Sequence, residues 1–214
     1  MDMSCRKCKG SLLFYTLKGL RLFILILFLN FGCRAQHNLL ETNIKASGSH
    51  QPIEDSILRE FQSANDLVIA YAVENFAWVK QADYTILTHN NKEWKGFIYH
   101  KNLMLNNAGT PTSITPVNVN KTACDSLFDF ITKNKAWTIK GDTDKGFCVN
   151  INKQCNINDA ASARLWLITK AATFNASYYA PDFFENCCPD KQRGLFLSIT
   201  KKISAIAGET DATE

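Results

Sequence analysis

The densest concentration of chemically capable side chains in this sequence is Tyr178-Tyr179-Ala180-Pro181-Asp182-Phe183-Phe184-Glu185-Asn186-Cys187-Cys188-Pro189. Four aromatic rings, two carboxylates and two thiols share twelve positions. Thiolates suit soft metals such as copper(I) and zinc, and aromatic rings line ligand pockets. A functional reading therefore makes Tyr178, Tyr179, Phe183, Cys187 and Cys188 a binding wall. The competing expectation is a packed corner, with Pro181 opening a helical turn, the rings in the core and a cysteine bridged elsewhere.

Smaller groups also invite chemistry. Cys148 and Cys155 bracket VNINKQ, a spacing that a tight strand-turn-strand closes into a disulfide when the Cα atoms come within about 7 Å. Asp142-Thr143-Asp144-Lys145-Gly146 opens like a calcium loop, but Cys148, Asn150 and Lys153 follow it, and the later oxygens and closing glutamate of such a loop are missing. It reads as a turn. Cys5 and Cys8 form a CxxC with no second pair or nearby histidine to complete a zinc set. The four histidines, His37, His50, His89 and His100, all lie in the first half, so a Cys-His nucleophile needs long-range assembly. The sequence contains no GxSxG, no phosphate-binding glycine loop and no HExxH. No metal set and no cofactor is expected.

The elements that must position these residues follow from periodicity. Pro52 at a helix start precedes Ile53, Ile57, Leu58, Phe61 and Ala64, one apolar helix face. Leu67 to Val79 is too densely apolar for helix and buried strand to be told apart, so only its burial is expected. Asp83 to His89 and Trp94 to Lys101 flank the turn-prone Asn90-Asn91-Lys92-Glu93 and predict a hairpin. In the register that sets His89 opposite Trp94, Asp83 faces His100, an arrangement for general-base chemistry or an ordinary cross-strand ion pair. His89 and His100 then lie at opposite ends, roughly 20 Å apart at about 3.3 Å per residue, and cannot chelate one ion. Cys124, Leu127, Phe128 and Ile131 predict a second helix capped by Asn120 or Thr122, with Cys124 on its inner side. Alternation around Trp137 and Ile139, Phe147 to Ile151, Leu165 to Ile168 and Ala172 to Tyr179 predicts strands. A last helix runs from about Asp190 to Ala207, with Gly208 after it.

Upstream of all this lies Leu22 to Gln36, LFILILFLNFGCRAQ, with Arg6, Lys7, Lys9, Lys18 and Arg21 behind it. Its apolar part is far shorter than the roughly 20 residues of a membrane-crossing helix, and the layout is that of an export signal. Gly32-Cys33 resembles the end of the lipobox of bacterial lipoproteins, although Asn30 and Phe31 stand where that family has Leu and a small residue. The resemblance covers only these few positions and implies a diacylglycerol on Cys33 and cleavage before it. Cleavage after Ala35 is the alternative. Five of the 24 basic residues and one of the 20 acidic ones lie in residues 1–33, which leaves 19 of each beyond. A neutral domain without a basic face excludes a nucleic-acid partner. Five cysteines, Cys124, Cys148, Cys155, Cys187 and Cys188, remain in it, so in an oxidising compartment some pair and at least one does not pair with the others.

The sequence thus predicts a leader over 1–33, a flexible tether over 34–51, one α+β domain over 52–208 and a polar tail over 209–214. The expected fold is an antiparallel sheet with about three packing helices. The expected place is the envelope of a Gram-negative bacterium, outer membrane or periplasm, with the membrane reached through the lipid anchor. The expected role is a binding or assembly module for a small molecule or another envelope protein. The alternative is an envelope hydrolase or thiol-dependent enzyme using Cys187, Cys188 or the Asp83 and His100 pair.

Overall fold

A computed structural model of the chain describes residues 38–48, 50–75, 81–102, 113–142 and 155–208. The chain divides into two compact units, residues 1–39 and 40–214. Only residues 38 and 39 of the first are described, and both are helical. The second unit is α+β, and everything below concerns it.

Its frame is a six-stranded antiparallel sheet in the order β4-β3-β2-β1-β5-β6. The strands are β1 (Leu67–Asn75), β2 (Gln81–Asn90), β3 (Glu93–Asn102), β4 (Ser113–Val117), β5 (Ser162–Thr169) and β6 (Thr173–Tyr179). The hairpin β2–β3 has the expected register, with His89 opposite Trp94 and Asp83 opposite His100. Asn91 and Lys92 form its two-residue turn and both have positive φ, 49° and 72°, the backbone that a type I′ turn demands.

Strand β1 lies between β2 and β5, and this position explains its uninterrupted apolar run. Its side chains alternate between two buried faces. Leu67 and Ile69 join the larger core, while Val68, Ala70 and Ala72 join a smaller one behind the sheet. On β5 the expected opposition holds, since Leu165 and Leu167 enter the larger core and Trp166 and Ile168 the smaller.

Three helices supply the larger core. They are α1 (residues 40–46), α3 (Lys121–Lys133) and α5 (Lys191–Ala207). Helix α3 is capped by the Asn120 side chain and buries Cys124, Leu127, Phe128 and Ile131, as its spacing predicts. Helix α5 starts on the Asp190 carboxylate and ends at Gly208, whose φ is 75°, the left-handed backbone that glycine adopts freely. Helix α2 (Ser56–Ala64) packs on the other face, and α4 (Pro181–Cys187) makes the corner between β6 and α5.

Three expectations are corrected. Residues 40–46 are not tether: Leu40 and Ile44 fall one turn apart and are buried in the larger core, and Lys45 bridges Glu41 across one turn at 2.9 Å. The polar residues between the two apolar ones mask a one-sided helix. Helix α2 begins at Ser56 rather than Pro52, because Asp55 accepts from the Ile57 and Leu58 N–H groups and so fixes the first turn. Trp137 lies in a 3-10 turn, Ala136–Thr138, instead of a strand. The strand expected over 147–151 and the rest of the turn 142–146 beyond Asp142 lie outside the described residues.

Candidate functional site

Among the described residues, α2 packs on part of the sheet face that carries the smaller core. Where it is covered, Leu58 is fully buried and Phe61 meets Phe97 at a centroid distance of 5.0 Å. Beside this part lies a cleft of about 600 Å³, bounded by Glu54, Asp55, Glu74, Tyr84, Lys101, Arg164 and Trp166, with Gln51, Asn175 and Ser177 among the uncharged residues lining it.

Strand pairing puts these residues side by side. One row across the sheet reads Tyr99, Tyr84, Ala72, Arg164, Ser177, and the next reads Phe97, Ile86, Ala70, Trp166, Asn175. Alanines at positions 70 and 72 keep β1 low, so rings from β2 and β5 can meet above it. Tyr84 stacks on Tyr99 at 4.8 Å and on Trp166 at 5.5 Å, and the Arg164 guanidinium lies 5.4 Å from the Trp166 centroid. The result is an aromatic layer with a cation at its end.

Two ion pairs stand on this layer. Lys101 donates to Asp55 at 2.5 Å, and Asp55 Oδ1 at the same time accepts from Ile57 N at 2.9 Å and Leu58 N at 3.2 Å. Burial and the Asp55 charge push the Tyr99 hydroxyl up to about 12. One carboxylate therefore caps α2 and ties it to β3. The second pair is Glu74 with Arg164, Oε2 to Nη2 at 3.3 Å. Glu74 is 5% exposed. Burial raises its pKa, and the charges of Arg164 and Lys101 offset that only in part. Glu74 Oε2 and Arg164 Nε are both sealed from solvent, and neither makes a hydrogen bond. The cleft wall thus combines an aromatic layer, two ion pairs and the uncharged polar side chains of Gln51, Asn175 and Ser177.

The residues singled out from the sequence fall elsewhere. Tyr178 and Tyr179 are consecutive on β6 and so point to opposite faces. Tyr178 is buried against Phe196 at 4.9 Å, whereas the Tyr179 hydroxyl accepts from Ala160 N at 3.0 Å. Phe183 packs edge-on to Phe184 at 5.2 Å. Cys187 is bonded to Cys155, with the Cα atoms 6.1 Å apart, and Cys188 is also in a disulfide. The corner is thus packed and bridged, and it is pinned by Arg193, whose Nη1 donates to the Cys188 carbonyl at 3.0 Å. The expected Cys148–Cys155 bridge is corrected, since Cys155 has Cys187 as its partner. Cys148 and Cys33 lie outside the described residues.

Cys124 is free and fully buried, and burial pushes its thiol up to about 11. Asp83 and His100 do meet, at 2.6 Å, but each is about half exposed, 51% and 49%, and register sets them on the face away from the cleft. His89 is buried beside Trp94, and burial holds its pKa below the usual value. Among the described residues no group of three or more His, Cys, Asp or Glu is arranged to hold a metal ion. The cleft residues have one sequence signal: Glu74 and Arg164 are charged residues at inward positions of otherwise apolar strands. Compared with known protein families and with curated proteins, the chain matches none.

Proposed function

We propose that this chain is an exported envelope protein, anchored by lipid on Cys33, whose α+β domain binds a small polar ligand in the cleft over β1 and β5. The observation that carries the binding reading is the Glu74–Arg164 pair in the cleft wall, whose carboxylate is buried and whose guanidinium side is 34% exposed. Apolar residues of similar volume in place of a buried ion pair are often neutral or stabilising by about 1–4 kcal/mol. A pair kept there with unsatisfied atoms is therefore better explained by a ligand than by stability. Export is supported by the basic and apolar leader and by the bridged cysteines, since disulfides persist in oxidising compartments. Binding is favoured over thiol chemistry because none of the described cysteines is both reduced and exposed.

The test is a thermal-shift screen of the mature domain against polar metabolites, run in parallel on Asn175→Trp, which fills the cleft from a strand position that tolerates large rings. A ligand should raise the Tm of the unmodified domain and leave the variant unmoved. Equal shifts in both, or no shift at millimolar ligand, would defeat the binding reading.

A further inference from the structure

We infer that the ligand of this cleft is a neutral, hydroxyl-rich molecule of the saccharide class, which places one hydroxyl between Glu74 and Arg164. The inference rests on the ligand-binding reading above and names its chemistry.

The charges around the cleft decide against an ion. Asp55 is taken by Lys101 and Glu74 by Arg164, and the remaining carboxylate of the lining, Glu54, is exposed to solvent. An anionic ligand would draw Arg164 away and leave Glu74, 7% exposed at its side chain, as a buried charge without its closest partner, an expensive arrangement. A cationic ligand on Glu74 would come within reach of both Arg164 and Lys101, whose charges already act on that carboxylate, and like charges repel it. A neutral hydroxyl that bridges the pair donates to Glu74 and accepts from Arg164, so both charges stay partnered through it and no like charge is added.

The unsatisfied atoms then specify the group. Glu74 Oε2 has the Arg164 Nη2 contact at 3.3 Å but no hydrogen bond, and Arg164 Nε has no hydrogen bond, and a hydroxyl can donate to the first and accept from the second. The Arg164 side chain is 34% exposed, so it can lift from Glu74 and admit a hydroxyl between them. Around this point Gln51, Asn175 and Ser177 offer uncharged donors and acceptors for further hydroxyls. The cleft volume of about 600 Å³ suits a monosaccharide or disaccharide and lies within the usual size of small-molecule sites.

The experiment uses the mature domain and records amide and indole chemical shifts on titration. The neutral probes are glucose, galactose, N-acetylglucosamine and lactose, and the charged ones are glucuronate and glucosamine. The expected result is that at least one neutral probe perturbs Trp166 and Asn175. Asn175→Trp should abolish that binding. Arg164→Met should weaken it about tenfold or more, the size of a lost hydrogen bond to a charged group, with a folded amide spectrum confirming that each variant is intact. If only the charged probes perturb the cleft, the ligand class is overturned while the binding reading survives. If no probe perturbs it, the saccharide assignment fails, and the metabolite screen decides the fate of the binding reading on its own.

Discussion

Asp55 shows how much of this molecule hangs on single side chains. Its two oxygens start α2, fix Lys101 on β3 and bound the cleft. Glu74 and Arg164 are more exposed to test, because their pairing has a pH signature. The folded-state pKa of Glu74 is raised by burial, so the folded protein holds a proton there more tightly than the unfolded chain does. Stability from this group is therefore full below the ordinary carboxylate value of 4.5 and is lost as pH rises through the raised folded value. Arg164 limits that loss. Arg164→Met should cost about 1–2 kcal/mol at neutral pH, between the values for exposed and for fully buried pairs because the Arg164 side chain is 34% exposed. The deficit should shrink as the solution is acidified and Glu74 takes up its proton. Urea unfolding of both proteins at pH 7 and pH 4.5 measures it, and a deficit independent of pH would show that Glu74 is not the group Arg164 serves.

Among the elements, α1 is the one whose importance is least apparent from composition. Ile44 is fully buried and Leu40 nearly so, and Glu41 accepts from the Thr169 hydroxyl at 3.0 Å and from Ala171 N at 3.3 Å, clamping the turn between β5 and β6. Ile44→Ala should destabilise the domain by about 2–5 kcal/mol, the range for emptying a core site. Chemical denaturation checks this, and a change under about 0.5 kcal/mol, typical of surface positions, would return residues 40–46 to the status of a tether. The elements differed in how plainly the sequence announces them. The β2–β3 hairpin and the helices α3 and α5 are written locally, in alternation, caps and turn residues, and they fold as read. Helix α1 is hidden because only two apolar residues among polar ones face the core. Trp137 alternates with Ile139 but sits in a 3-10 turn, since two apolar residues do not separate a short strand from a tight turn. The cleft was illegible for a different reason. Glu74 and Arg164 are ninety positions apart and become neighbours only through the β1–β5 pairing, which no local pattern encodes.

At the scale of the whole molecule, the cysteines give a test of the fold and of the proposed export together. In the native protein iodoacetamide should leave Cys124, Cys155, Cys187 and Cys188 unmodified. Denaturant without reductant should expose Cys124 alone of these four, and reductant should add the other three. Peptide mass mapping reads the pattern, and the same spectra should show the mature chain beginning at an acylated Cys33. Native labelling of Cys187 or Cys188 would contradict the bridges, and a mature chain beginning at Gln36 would replace lipidation by ordinary cleavage.

The position of β1 has a last consequence, for the time before the protein is complete. A chain is made from its N-terminus, so β1 to β4 exist before β5 does. Until residues 162–169 emerge, the most apolar strand of the sheet has one unpaired edge, a template for pairing with another chain. The finished sheet has quite different borders. Strand β4 is short, largely exposed and carries Pro116, and along β6 Asp142 N donates to the Ser177 carbonyl while the Asp142 carboxylate accepts from Tyr179 N. The dangerous edge is therefore a property of the unfinished fold, and a helper that shields apolar strands would serve until β5 has paired and not afterwards.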